Sequence, residues 1–144
     1  MGLSNYFTLQ ELTSSNTAIR KGIDNTPSPE VVENLKQLCI DLLDPIRVGV
    51  QKPVRVSSGF RCEKLNKLLG GAKNSQHIYG EAADIQVDGM STEELFQFIK
   101  DHFNYDQLIQ EFDSWVHISY RKGKNRNQNL RAVKKNGKTV YLPA

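Results

Sequence analysis

A chain of 144 residues with 38% hydrophobic and 24% charged side chains is long enough to bury a core without disulfides. No apolar run approaches the roughly 20 residues a membrane-crossing helix needs, which argues against a membrane span. The net charge is only +3 but uneven: no acidic residue follows Asp113, whereas Arg121, Lys122, Lys124, Arg126, Arg131, Lys134, Lys135 and Lys138 do. Such a basic end suits an anionic polymer or a solvated hairpin face. Without interleaved aromatic residues or a nucleic-acid motif, it predicts no specific nucleic-acid partner.

In chain order, Thr8 and Glu11 form a capping box, with Phe7 and Leu12 spaced to staple the start of a short first helix. Met1 to Gln10 lacks the basic and apolar regions of a secretory signal, so cytoplasmic synthesis without a leader is expected. Thr13 to Thr26 is polar and reads as a surface connection. Ser28-Pro29-Glu30 supplies an N-cap, a proline at the first helical position and an acid in the first turn. Val31, Val32, Leu35, Leu38, Cys39, Leu42, Leu43 and Ile46 then recur at helical spacing, predicting a long core helix that Pro45 kinks or ends. Cys39 lies on its apolar face as a buried thiol, and Cys62 lacks the close partner of a zinc knuckle.

Val54 to Ser58 reads as a strand, Arg61 to Leu69 as a helix stopped by Gly70-Gly71, and Ala72 to Gly80 as a loop. Ala82 to Val87 is the next strand. Ser91 and Glu94 make a second capping box, opening a helix with Leu95, Phe98 and Ile99 on its apolar face. Gln107–Glu111 and Trp115–Tyr120 are strands joined by Phe112-Asp113-Ser114, and Asn136-Gly137 is a type I′ turn between Leu130–Val133 and Thr139–Leu142. Early helices and late antiparallel strands predict one α+β domain over residues 1–144.

Three histidines are present, and two stand where a metal could use them. His77 lies in a loop seven positions before Asp84, with Gly80, Ala82 and Ala83 allowing a tight return, and His117 sits mid-strand. Taken singly, a strand histidine is more often a hydrogen-bonded core residue, and an aspartate near a strand start is usually a turn or cap. His102, at a helix end, suits the C-terminal dipole. If Phe112 to Ser114 form the hairpin loop, Glu111 pairs with Trp115 and Ile109 with His117. Glu111 then shares a sheet face with His117 at about 7–8 Å between backbones, within reach of a metal site as a general base. Asp113 reads as a turn residue.

The segments Ser57-Ser58-Gly59-Phe60-Arg61, Leu65-Asn66, Gly70-Gly71-Ala72, Ser75-Gln76-His77-Ile78-Tyr79-Gly80-Glu81-Ala82-Ala83-Asp84 and Trp115-Val116-His117 resemble the M15 peptidases. These are the zinc D-Ala-D-Ala carboxypeptidases and their phage endolysin relatives. The resemblance implies a small DD-peptidase-like α+β fold, with helices on one side of an antiparallel sheet that carries the zinc. It implies Zn²⁺ on His77, Asp84 and His117, Arg61 facing the substrate and its oxyanion, and Ser75 and Gln76 lining the substrate pocket. In some relatives the catalytic acid stands three residues before the last histidine ligand; here that place is Ser114, and Glu111 resembles the branch with a longer connection.

The activity so implied is hydrolysis of amide bonds in peptidoglycan stem peptides, of the D-Ala-D-Ala carboxypeptidase or L-Ala-D-Glu endopeptidase type. A leaderless chain with no separate wall-binding domain fits a phage or prophage lysin that reaches the wall after release. The rivals are a catalytically inactive, zinc-containing wall-binding module, which needs no base, and a basic nucleic-acid binder, which needs no metal and loses affinity steeply with salt.

Overall fold

A computed structural model describes residues 2–144. The first helix, α1 (Leu9–Thr13), opens on the Thr8–Glu11 capping box, and Phe7 and Leu12 are both buried beside it. The polar stretch expected to be a plain surface connection instead contains α2 (Asn16–Lys21). The Ser15 hydroxyl accepts from the Ala18 amide, and Gly22 ends the helix at φ 64°. Six residues are too few to display an apolar period, so only the caps announced this helix. Just beyond it, Asn25 donates through Nδ2 to the carbonyls of Thr13 and Phe60 and accepts from the Cys62 amide, clipping the connection to the loop that follows the first strand.

The long apolar helix divides into α3 (Pro29–Leu38), a π-helical turn (Cys39–Leu43) and α4 (Asp44–Val50). Pro45 explains the break. It has no N–H to donate and its ring crowds the carbonyl four residues back, so the turn before it widens and Asp44 N–H donates to the Cys39 carbonyl. Cys39 is fully buried there, and burial, with Asp44 nearby, pushes its thiol up to about 12.

Among the described residues six strands form one sheet in the order β1-β2-β4-β3-β5-β6: β1 (Val54–Ser58), β2 (Ala82–Val87), β3 (Gln107–Glu111), β4 (Trp115–Ser119), β5 (Gln128–Lys135) and β6 (Lys138–Pro143). Two further helices, α5 (Glu63–Leu68) and α6 (Thr92–His102), follow β1 and β2. In the run β1-β2-β4-β3 each strand is antiparallel to its neighbour, whereas β5 returns parallel to β3, so the sheet is mixed on its C-terminal side. The β3–β4 hairpin has the expected register, Glu111 opposite Trp115 and Ile109 opposite His117.

Strand alternation gives the sheet two unlike faces. Ala83, Ile85, Val116, Ile118 and Leu108 pack in one core with Leu35, Leu38, Leu42 and Ile46 of the first long helix and with Leu95, Phe96 and Ile99 of α6. Each fully buried Leu or Ile there contributes about 1.5–3 kcal/mol. The other face carries Asp84, His117, Ile109, Glu111, Leu130 and Tyr141 into an open cleft of about 1130 Å³.

Candidate metal centre

The cleft floor is set by the pairing of β2 with β4, which places Asp84 directly opposite His117. A bulge in β1 puts Ser58 opposite Asp84. Bulges re-aim side chains next to functional sites, and here the Ser58 hydroxyl accepts from Arg61 Nε at 2.9 Å. His77 arrives from the loop between α5 and β2. Its amide donates to Ser75 Oγ at 3.2 Å, and its carbonyl accepts from the Arg61 amide at 3.1 Å. Gly80 closes the return to β2 at φ 73°, where a Cβ would lie 2.8 Å from Val31 of α3. At Gly59 a Cβ would lie 2.3 Å from the Leu12 carbonyl, so only glycine lets α1 press this loop against His77.

His77, Asp84 and His117 each offer a ligand atom within 4.8 Å of the other two. His77 Nδ1 lies 2.7 Å from the Gly59 carbonyl, which can only accept; this assigns the ring proton to Nδ1 and leaves a bare lone pair on Nε2. That lone pair is 3.4 Å from Asp84 Oδ1, and His117 Nδ1 is 3.1 Å from the same oxygen. Burial lowers the His77 pKa, which keeps the ring neutral. A neutral imidazole lone pair facing a carboxylate oxygen inside the protein calls for a cation between them. The donor set of two nitrogens and one carboxylate oxygen, backed by a carbonyl that fixes one tautomer, fits a catalytic zinc site with an open position. Burial opposes ionisation of Asp84, but the hydrogen bond with His117 leads the interactions that outweigh it and hold the carboxyl well below its usual range.

The other expected site residues fall around this cluster. Glu111 Oε2 accepts from Trp115 Nε1 at 3.0 Å and stands 3.9 Å from His117 Nδ1. Burial, and then the negative Asp84, raise the Glu111 pKa. Asp113 is turned away: its carboxylate accepts from Gln110 Nε2, its amide donates to Gln110 Oε1, and Gln110 belongs to the helix-covered face. Arg61 donates to Ser58 Oγ, to Asn66 Oδ1 at 3.2 Å and to Asp84 Oδ2 at 3.3 Å, and it lines the cleft. Ser75 and Gln76 line it too. His102 lies apart, its Nδ1 bonded to the Phe98 carbonyl near the end of α6. Cys62 is the N-cap of α5 and outside the cluster.

Several supporting residues were given no role from the sequence, although Asn66 and Trp115 lie in the segments that resemble the family. Asn66 is buried, donating to the Ala72 carbonyl while accepting from Arg61. Trp115 orients Glu111, a role readable in principle from the hairpin register. Asp106 is fully buried and accepts from Gln76 Nε2 at 2.8 Å and from Arg126 Nε and an Arg126 terminal nitrogen at 2.8 and 2.9 Å. That arrangement leaves Gln76 Oε1 as the buried side-chain atom without a hydrogen-bond partner among the described residues. Asp106 stands 30 residues from Gln76 and 20 from Arg126, so no local pattern marked it.

The family model for peptidase M15 matches residues 5–119. Over 51 residues the chain is 41% identical to a zinc D-Ala-D-Ala carboxypeptidase of Streptomyces albus G. That stretch is 35% of this chain and spans only 20% of the relative's length.

Proposed function

Because the chain belongs to the peptidase M15 family, we infer that it is a zinc metallopeptidase that hydrolyses amide bonds in peptidoglycan stem peptides. The observation that carries this is the convergence of His77 Nε2, Asp84 Oδ1 and His117 Nδ1, with the Glu111 carboxylate beside them. His77, Asp84 and His117 would hold the zinc, which would supply a Lewis acid and lower the pKa of a water toward neutrality.

The protein's own groups do the rest. Glu111 is the general base: Trp115 Nε1 holds one of its oxygens, and its raised pKa suits it to accept the proton of the attacking water and return it to the leaving amine. Arg61 spends three of its five donors on Ser58, Asn66 and Asp84, so its guanidinium is fixed in place, and its remaining donors serve the oxyanion that develops on the attacked carbonyl. Ser75 and Gln76 line the substrate channel. Gln76 is gripped through its amide nitrogen by Asp106, which fixes its place on the cleft wall.

Purified peptidoglycan digested with zinc-loaded protein, with and without chelator, tests the reading. Chelator-sensitive cleavage at one defined bond is expected, and the new termini, identified by mass spectrometry, distinguish a D-Ala-D-Ala carboxypeptidase from an L-Ala-D-Glu endopeptidase. A folded, zinc-loaded sample that releases nothing would leave the wall-binding module in its place. The proposal extends to a lytic role, for which permeabilised bacteria should lose turbidity on addition of the protein.

A further inference from the structure

The hairpin of β5 and β6 lies beyond the residues matched by the family model, yet it forms one wall of the cleft. Glu111, Ala132 and Tyr141 stand in one row across β3, β5 and β6. Ala132 is too small to raise a partition, so the floor runs open from the base to Tyr141, about 10 Å at the usual strand spacing. Two positions along β5 from Ala132, Lys134 pairs with Thr139 and lines the same cleft.

The cations lining the cleft are Arg61, Arg121, Arg126 and Lys134. Three of them stand against a carboxylate inside the protein: Arg61 beside Asp84 at 3.3 Å, Arg121 beside Glu81 at 3.5 Å and Arg126 beside Asp106 at 2.8 Å. Lys134 is different. Among the described residues its ammonium meets no carboxylate; it donates to Thr139 Oγ1 at 3.0 Å and lies 5.2 Å from the centre of the Phe112 ring. Phe112 sits at φ 58°, a left-handed conformation costly for a bulky side chain, and from there its ring packs edge-on against Trp115 as well as under Lys134. The Phe112 amide donates to the Ala132 carbonyl, so β5 itself braces the strained turn. Lys134 is itself exposed to solvent. Here an unneutralised charge is held on the cleft wall, next to the turn that carries the base.

We propose that Lys134 is an anion subsite that receives a carboxylate of the substrate about two to three extended residues from the scissile bond. This rests on the peptidase reading and adds a specificity element to it. The carboxylate can be that of an acidic residue within the peptide or the terminal one; both present the same chemistry to a lysine ammonium.

The test compares matched stem peptides: both carboxylates free, the internal one amidated, and the terminal one amidated. For zinc-loaded wild type, kcat/KM should fall about tenfold on one amidation only, which identifies the source, and the loss should lie in KM. Lys134→Met, which keeps the apolar stem over Phe112, should erase that preference; Lys134→Arg should restore most of it, and Lys138→Met at the hairpin turn should leave it intact. A Lys134→Met protein that still discriminates, or that is slowed equally on all three peptides, would overturn the subsite. Calorimetric binding of the same peptides to zinc-loaded Glu111→Gln, with and without Lys134→Met, separates this proposal from the one beneath it. Peptides bound in a Lys134-dependent way but never cut by wild type would sink the peptidase and keep the subsite. Peptides cut and bound with indifference to Lys134 would do the reverse, and neither binding nor cleavage would defeat both.

Discussion

On the helix-covered face of the sheet, Ile85, Val116 and Ile118 meet apolar side chains from helices on either side of β2 in sequence; on the open face, one position along the same strands, Asp84 and His117 meet named atoms at fixed distances. The first kind of contact has no direction and is shared among many neighbours, so similar shapes can replace one another at modest cost. The second depends on which atom faces which. His77 is positioned by one carbonyl, Glu111 by one indole N–H and Gln76 by one carboxylate. Substitutions on the open face should therefore cost function out of proportion to stability, and those on the covered face the opposite.

Glu111→Gln should show the largest effect. The amide keeps the shape and can still meet Trp115, but it cannot take a proton. Turnover should fall by a factor of about a hundred to ten thousand, equivalent to about 3–5 kcal/mol of barrier. Zinc content by metal analysis and the melting temperature should stay those of the wild type; loss of zinc would make Glu111 part of the metal site and remove it as the base. The mirror experiment is Leu35→Ala, at a fully buried position of α3 against the Gly80 turn. Urea unfolding of the zinc-loaded protein should show a loss of about 2–5 kcal/mol, with kcat per folded molecule little changed. A collapse of kcat in molecules that remain folded would mean that the two faces are not separable.

What the sequence disclosed divides along the same line. Capping boxes, helical periodicity and the hairpin register are local rules, and they placed α1, α6, most of the α3–α4 run and the Glu111–Trp115 and Ile109–His117 pairs. The metal cluster was legible because His77, Asp84 and His117 sit in segments whose residues resemble a family; spacing alone left each with a plainer reading. The π-turn was half legible: Pro45 announced a break, but not that the turn before it would widen rather than kink or end the helix. Asp106 was invisible, since its partners Gln76 and Arg126 come from a loop and a connection that nothing local ties to it. The parallel return of β5 was hidden likewise, because the pairing of β5 with β3 is a choice between distant segments.

Asp106→Asn probes that hidden part. The new amide would present N–H donors where Arg126 and Gln76 already donate, leaving a buried site with unmatched donors. A destabilisation of about 1–3 kcal/mol is expected, smaller than that of the core truncation. The more telling readout is kinetic: KM should rise because Gln76 loses its anchor, while zinc content stays unchanged. If KM holds and only stability moves, Asp106 merely ties Arg126 down and Gln76 does not need it.

A second Arg–carboxylate fork on the covered face supplies the smallest effect and the control. Arg131 of β5 meets Glu93 of α6 at 2.5 and 2.7 Å, the same two-pronged geometry as Arg126 on Asp106, but both side chains are over a third exposed. Arg131 is the main cause that holds the Glu93 carboxyl at about 2, against an ordinary 4.5. Since the folded value is the lower one, the pair's contribution is complete above about pH 4.5 and fades as pH falls toward 2. Solvent screening limits it to under about 1 kcal/mol. In metal-free protein, so that zinc release does not intrude, the stability difference between wild type and Glu93→Gln should be below that bound at pH 7 and shrink as acid is added. Added salt should shrink it as well. If Glu93→Gln costs as much as Asp106→Asn at pH 7, fork geometry rather than burial governs these pairs; a smaller cost that vanishes in acid makes burial the reason that the Asp106 fork can anchor a cleft residue and the Glu93 fork only trims a surface.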